Sequence, residues 1–91
     1  MEITEVWVRF LDNQRLKAFA DVTFDKALVI RGMKIIQGGQ GHFVALPSRK
    51  RADGSYQDVA HPVNKQMRQL IEEKVLQAYE VELVSHSKIE K

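Results

Sequence analysis

Cysteine is absent from all 91 residues, which removes disulfide scaffolds, thiolate metal sites and thiol nucleophiles together and is compatible with a reducing compartment. Proline and glycine are sparse, at two and five residues, far from any low-complexity or collagen-like composition. No apolar run approaches the ~20 residues of a membrane-spanning helix. The start, Met1-Glu2-Ile3-Thr4-Glu5, is acidic and lacks the cationic end and apolar core of a signal peptide. Neither export by that route nor membrane insertion is expected, and the cytoplasm is the default. Net charge is nearly missing as well, because 14 basic and 12 acidic residues leave only +2, too little to imply a partner. What is present is 44% hydrophobic and 29% charged residues, the composition of one small soluble domain with a thin core that an oligomer would help.

Hydropathy alternates with period two from Ile3 to Phe10, placing Thr4, Val6, Val8 and Phe10 on one side and Ile3, Glu5, Trp7 and Arg9 on the other, the pattern of a strand. Asp12-Asn13-Gln14-Arg15 reads as a turn. Leu16, Ala18, Ala20, Val22 and Phe24 then recur at every second position, opposite Lys17, Phe19, Asp21 and Thr23. After a break at Asp25-Lys26, residues 28–37 form a third strand or two half-strands, with Gly32 as a bulge or bend. Gly38-Gly39-Gln40-Gly41 turns the chain into a fourth strand, His42-Phe43-Val44-Ala45-Leu46, ended by Pro47. Residues 47–62 are a long exposed basic connection of hairpin-like character, with Asp53-Gly54 as its turn and a brief strand near Tyr56 to Asp58.

Asn64 is a candidate N-cap for an amphipathic helix of about four turns through Glu80. Met67, Leu70, Ile71, Val75, Ala78 and Tyr79 form its apolar face, and Lys65, Gln66, Arg68, Gln69, Glu72, Glu73 and Gln77 its solvated one. The predicted fold is α+β, a small antiparallel sheet of about four to five strands with one long C-terminal amphipathic helix. Residues 1–83 make a single domain and residues 84–91 a polar, frayed tail. One helix covers only one face of such a sheet, yet Ile3, Trp7 and Phe19 fall on the face opposite the most regular apolar set. Open edges also have to be covered or paired. A homodimer through the sheet, by edge pairing or hairpin exchange, is therefore expected.

Residues 47–68 hold Arg49, Lys50, Arg51, Lys65 and Arg68 against only Asp53 and Asp58, a local basic excess larger than that of the whole chain. Arginine offers a bidentate fork and lysine a point charge, and both suit phosphate oxygens without an exact register. An ordinary solvated loop is the alternative. Tyr56 could stack on an unpaired base, with Ser48, Ser55 or Gln57 bonding to sugar or base edges, although a strand aromatic packed on the sheet is the plainer expectation. No recognition helix, zinc-finger spacing or aromatic RNA-binding sheet pattern is present, so weak sequence preference is expected.

Gly38-Gly39-Gln40-Gly41 leads from strand to strand and is followed by no Lys-Ser or Lys-Thr, which makes it a hairpin turn and not a phosphate loop. His42, His61 and His86 stand 19 and 25 residues apart with no carboxylate cluster beside them, so no metal or other cofactor is expected. His61, held extended by Pro62, fixes the loop before the helix by hydrogen bonding. Ser48 has no evident base or oxyanion hole, and Asp53 and Asp58 lie five apart in a loop, so no enzyme is expected. The rivals to a nucleic-acid binder are a protein-interaction module using a sheet edge or the Ile3, Trp7 and Phe19 face and a small-ligand binder, which needs a pocket the sequence does not display.

Several stretches in combination carry a resemblance: Met1-Glu2-Ile3-Thr4-Glu5-Val6, Leu16-Lys17-Ala18, Gly41-His42-Phe43-Val44-Ala45-Leu46-Pro47-Ser48, Asp53-Gly54, Asp58-Val59-Ala60-His61-Pro62-Val63-Asn64, Val75-Leu76 and Tyr79-Glu80. Along nearly its whole length the chain resembles the bacterial SpoVG family of sporulation and septation regulators. That resemblance implies a small α+β domain that dimerises through its sheet, acts in the bacterial cytoplasm, and binds DNA and in some members RNA to regulate gene expression, septation or sporulation. It also implies nucleic-acid contact through a Pro-Ser-Lys-Arg motif, whose two basic positions fall on Arg49 and Lys50 in reversed order. Arg51 adds a third charge where many members carry a neutral residue. Phosphate contact survives that exchange, whereas a bidentate contact at the second position does not, because lysine lacks the fork. Ala52 stands where the family often has proline, which leaves the loop less rigid.

Overall fold

In the computed structural model, which describes residues 1–11 and 14–89, the period-two segments become four consecutive antiparallel strands. These are β1 (Ile3–Phe10), β2 (Leu16–Phe24), β3 (Leu28–Gly38) and β4 (Gly41–Ala45), hydrogen-bonded in sequence order. A separate two-stranded sheet follows, β5 (Ser48–Lys50) with β6 (Tyr56–Asp58), and then helix α1 (Lys65–Ile89). The architecture is α+β. Asp12 and Asn13 of the first expected turn, and Glu90 and Lys91 of the expected tail, lie outside the described residues.

The core forms where the regular face of β2 meets α1. Ala18, Ala20, Val22 and Phe24 are buried with Met33 and Ile35 of β3, Val44 of β4, and Ile71, Val75 and Tyr79 of the helix. The buried helical residues recur every fourth position, one stripe of a 3.6-residue repeat. Leu76, absent from the expected apolar face, also packs against this core. Asn64 caps the helix, its Oδ1 accepting the Met67 N–H at 2.8 Å, which satisfies one of the otherwise unpaired amides of the first turn. The helix continues beyond Glu80, where the apolar periodicity ends, to Ile89. Among the described residues no helix is long and apolar enough to cross a membrane.

Bulges adjust the faces. The register between β2 and β3 shifts between Ala20 and Val22, opposite Gly32, whose φ is +82°; β3 is thus one strand bent at a glycine bulge. A second shift lies between Ile3 and Glu5. It corrects the expectation for Ile3, which strict alternation assigns to the outer face, because the extra residue at Thr4 lets Ile3 pack against the core beside Val6 and Val8. The tight turn between β2 and β3 places Asp25 and Lys26 both at φ +53°, the left-handed geometry of the hairpin turn that matches strand twist. The start of the chain holds this turn, with Glu2 N–H donating to Asp25 Oδ1 at 2.9 Å and Lys26 N–H donating to Thr4 Oγ1 at 3.0 Å.

Candidate nucleic-acid interface

Pro47 ends β4, and the chain leaves the main sheet as a ribbon. The base of the ribbon is closed by Val59 N–H donating to Pro47 O at 2.8 Å, and its tip by Arg51 N–H donating to Ser55 O at 2.7 Å and Gly54 N–H to Arg51 O at 3.0 Å. Gly54 sits at φ +93°, so the tip is a type I turn followed by a left-handed glycine, a common three-residue hairpin connection. Asp53 locks it: one carboxylate oxygen accepts both the Ser55 N–H at 3.0 Å and the Ser55 hydroxyl at 2.7 Å. The hydroxyl bond, and after it the amide bond, hold the Asp53 carboxyl below the usual aspartate range.

Every residue of β5 and β6 is exposed. Apart from its own cross-strand pairing, the ribbon makes no substantial contact with the main sheet or the helix. Arg49, Lys50 and Arg51 stand on it in solvent, and no ion pair among the described residues engages them. Two expectations are corrected here. Arg49 and Lys50 belong to a strand and not to an irregular stretch of the basic connection, so they project to opposite faces. Tyr56 is a strand aromatic, as expected, but it is 68% exposed, because a two-stranded ribbon has no second layer to pack it against.

Lys65 and Arg68 occupy the first turn of α1, also exposed, where they border an open groove with His61, Pro62, Val63 and Asn64. Among the described residues, α1 makes no substantial contact with the ribbon. His61 Nδ1 lies 3.1 Å from the carbonyl oxygen of the neighbouring Pro62. The glycine run leads from β3 into β4 by a two-residue turn, with Gly38 paired to Gly41, and no helix N-terminus follows it. Among the described residues no three histidine or acidic side chains gather as a metal site would require.

Sequence reasoning missed a feature on the face of the main sheet that α1 leaves uncovered. Asp21 is buried there, its Oδ1 accepting the bulge amide of Gly32 at 3.1 Å and Nη2 of Arg9 at 3.4 Å, while Arg31 Nε lies 3.6 Å from Oδ2. The guanidinium of Arg9 also lies 5.8 Å from the centre of the Phe19 ring. An acid facing a predicted bulge glycine was the available signal. On the same face Trp7 is 62% exposed, and Val29 and Phe43 are exposed as well.

The sequence profile of the SpoVG family matches residues 1–81. A Bdellovibrio bacteriovorus protein named "Putative septation protein SpoVG" is 48% identical over 85 residues, which cover 93% of this chain and 79% of that protein. Proteins of the same name from Clostridioides difficile (46% over 85 residues, 92% of each chain) and Caldicellulosiruptor saccharolyticus (43% over 81 residues, 88% of this chain and 92% of the relative) are similar to it in the same way.

Proposed function

We propose, from the premise that this chain belongs to the SpoVG family, that it is a homodimeric regulator of the bacterial cytoplasm. It binds nucleic acid, DNA in the first place and RNA in the second, and thereby affects gene expression, septation or sporulation. The observation that carries this reading is the free-standing ribbon, on which Arg49, Lys50 and Arg51 face solvent with no acidic partner among the described residues. Cations held on a hydrogen-bonded hairpin lose less backbone freedom on meeting phosphates than cations on an open loop, and phosphate neutralisation supplies most sequence-independent affinity. Lys65 and Arg68 contribute where the backbone of the nucleic acid runs on past the helix start.

Dimerisation through the sheet answers the exposure of Trp7, Val29 and Phe43 on its uncovered face. Two ribbons on one dimer raise the effective concentration of the second contact once the first is made. With six ribbon cations on duplex phosphates, the log–log salt slope is about −5, and affinity falls roughly a thousandfold between 50 and 200 mM salt. Fluorescence anisotropy on labelled duplex DNA, single-stranded DNA and RNA at those two salt concentrations tests this. Arg49→Ala/Lys50→Ala/Arg51→Ala abolishes the salt-sensitive binding while leaving the fold intact; binding that is absent in the wild type, or unchanged in the variant, sinks the reading.

Exposed Trp7 favours a second reading, a protein-interaction module that regulates cell division without touching nucleic acid. A division-protein partner recovered equally well by the wild type and by the ribbon variant supports it.

A further inference from the structure

Asp53-Gly54, at the tip of the ribbon, is the one Asp-Gly pair in the chain, and no Asn-Gly pair occurs. Every other aspartate is followed by a residue with a side chain: Asp12 by Asn13, Asp21 by Val22, Asp25 by Lys26 and Asp58 by Val59. Such a side chain obstructs attack by its own backbone nitrogen on the carboxyl group before it. Glycine has no Cβ and leaves that close approach open. Asp53 and Gly54 are both exposed, and apart from chain neighbours no atom lies within 4 Å of where a Cβ would stand on Gly54.

The folded turn ties both reacting groups elsewhere. The Asp53 carboxylate accepts the Ser55 hydroxyl and the Ser55 amide, an Asx turn, while the Gly54 amide, the nucleophile, donates to Arg51 O at 3.0 Å. Pairing runs Ser48 with Asp58, Arg49 with Gln57 and Lys50 with Tyr56, and the Arg51–Ser55 backbone bond adds the last rung. With side chains alternating between faces, Arg49, Arg51, Ser55 and Gln57 share one face, and Ser48, Lys50, Tyr56 and Asp58 the other. No packing reinforces this arrangement, because among the described residues the ribbon makes no substantial contact with the body. An exposed hairpin with so little burial opens locally far more often than the core does.

We infer that Asp53 is a site of spontaneous covalent modification, isomerising to isoaspartate through a cyclic imide with the Gly54 nitrogen, and that the Ser55 lock sets the rate. When the turn opens, the Gly54 nitrogen attacks Asp53 Cγ. A new C–N bond forms, the nitrogen gives up its proton, and one carboxyl oxygen leaves as water. Water then opens the imide. Attack at Cγ restores aspartate, whereas attack at the main-chain carbonyl breaks the original peptide bond and leaves the chain running through Cγ. The net change is an isomerisation that needs no reagent beyond water.

The charge of the tip is unchanged by this reaction, but its backbone is one atom longer. The turn is closed by bonds between Arg51 and Ser55 and between Gly54 and Arg51, and a longer path between those groups breaks that geometry. The carboxylate now sits directly on Cα and no longer reaches Ser55 as the aspartate side chain does. The last rung is therefore lost, and with it the fixed position of Arg51. This chemistry is independent of what the ribbon binds.

The test incubates the purified full chain at neutral pH and physiological temperature. Peptide mapping with enzymatic methylation of isoaspartate, using a labelled methyl donor, then locates the product. Isoaspartate accumulates at residue 53 and not at Asp21, Asp25 or Asp58. Ser55→Ala, which removes one of the two lock bonds, forms it roughly fivefold faster. Asp53→Asn reaches the same imide by losing ammonia and is faster than the wild type, whereas Asp53→Glu, which would need a larger ring, forms none. Thermal melting confirms that each variant is folded. In the isomerised fraction the NMR amide signals of Arg51 and Ser55 shift while that of Val22 in the core stays. Accumulation at residue 53 no faster than at Asp58 overturns the inference, and a rate unchanged by Ser55→Ala overturns the role of the lock. Unmoved Arg51 and Ser55 amides in the isomerised fraction overturn the loss of the last rung. None of these readouts involves nucleic acid, so their failure is distinct from failure of the proposed function.

Discussion

The sheet–helix body and the ribbon use the same antiparallel pairing, yet their residues answer to different demands. In β2, Ala18, Ala20, Val22 and Phe24 are buried; in β5 and β6 every residue is exposed. The body is stabilised by apolar area removed from water. A lone hairpin is marginal in water, and this one is held by its cross-strand bonds, the Pro47–Val59 closure and the Asp53–Ser55 lock. Its side chains have no packing duty. Substitutions in the body therefore report on stability, substitutions in the ribbon leave it nearly unchanged and report on the proposed binding, and that separation can be tested.

The largest effect belongs to the core. Phe24→Ala removes a ring packed between sheet and helix and costs about 3–5 kcal/mol, a large part of the stability of a small domain. Urea titration and calorimetry check this, with each kcal/mol lowering Tm by roughly 4–8 °C. A loss well under 1 kcal/mol would break the picture of a single shared core. Next comes Asp21→Ala, which strands the Gly32 amide on a half-buried bulge and costs about 1–3 kcal/mol. Most of that is the lost amide partner, because Arg9 and Arg31 are largely in solvent and exposed ion pairs contribute little. Equal destabilisation by Arg9→Ala/Arg31→Ala would reverse that attribution.

The smallest effects belong to the ribbon. Neutralising Arg49, Lys50 and Arg51 together changes global stability by no more than about 0.5 kcal/mol, and a larger fall in Tm would show that the ribbon is tied to the body. Acid provides a finer probe of the tip. The folded pKa of Asp53 lies below its unfolded value, with the Ser55 hydroxyl as the first cause and the Ser55 amide as the second. The turn is therefore supported above the unfolded pKa of about 3.9 and loses that support as pH falls through the lower folded value. An NMR pH titration sees the Ser55 amide respond while core amides such as that of Val22 stay unchanged. Ser55→Ala brings the Asp53 midpoint up toward the usual aspartate value, and an unmoved midpoint would show that Ser55 is not the cause.

Most of the scaffold was legible because burial imposes a period. The alternation in β2 and the fourfold spacing of Ile71, Val75 and Tyr79 read directly as a strand and a helix face, and Asn64 read as a cap from its position ahead of that stripe. Asp53-Gly54 located the hairpin tip. Illegible were the points where one residue is inserted. The bulge at Thr4 reassigns Ile3, and alternation cannot announce its own interruption. The exposure of Tyr56 was illegible too, because strand propensity carries no information about whether a second layer covers the strand. The site itself was half legible: a run of three cations is visible in any reading, but their division between two faces depends on the pairing partner.

Composition and period determined the α+β class, the core stripe, the helix cap and the basic segment of this protein, because each is a local consequence of side-chain chemistry repeated along the chain. Tertiary structure alone decided that β5 and β6 pair with each other and stand clear of the main sheet, that Arg49 and Arg51 share a face with Gln57 while Lys50 joins Tyr56, and that Asp21 is enclosed by a bulge and two arginines. Those outcomes depend on register and on which surfaces find a partner. A register is a relation between residues far apart in sequence, and a one-residue slip in it moves every side chain of a strand to the opposite face.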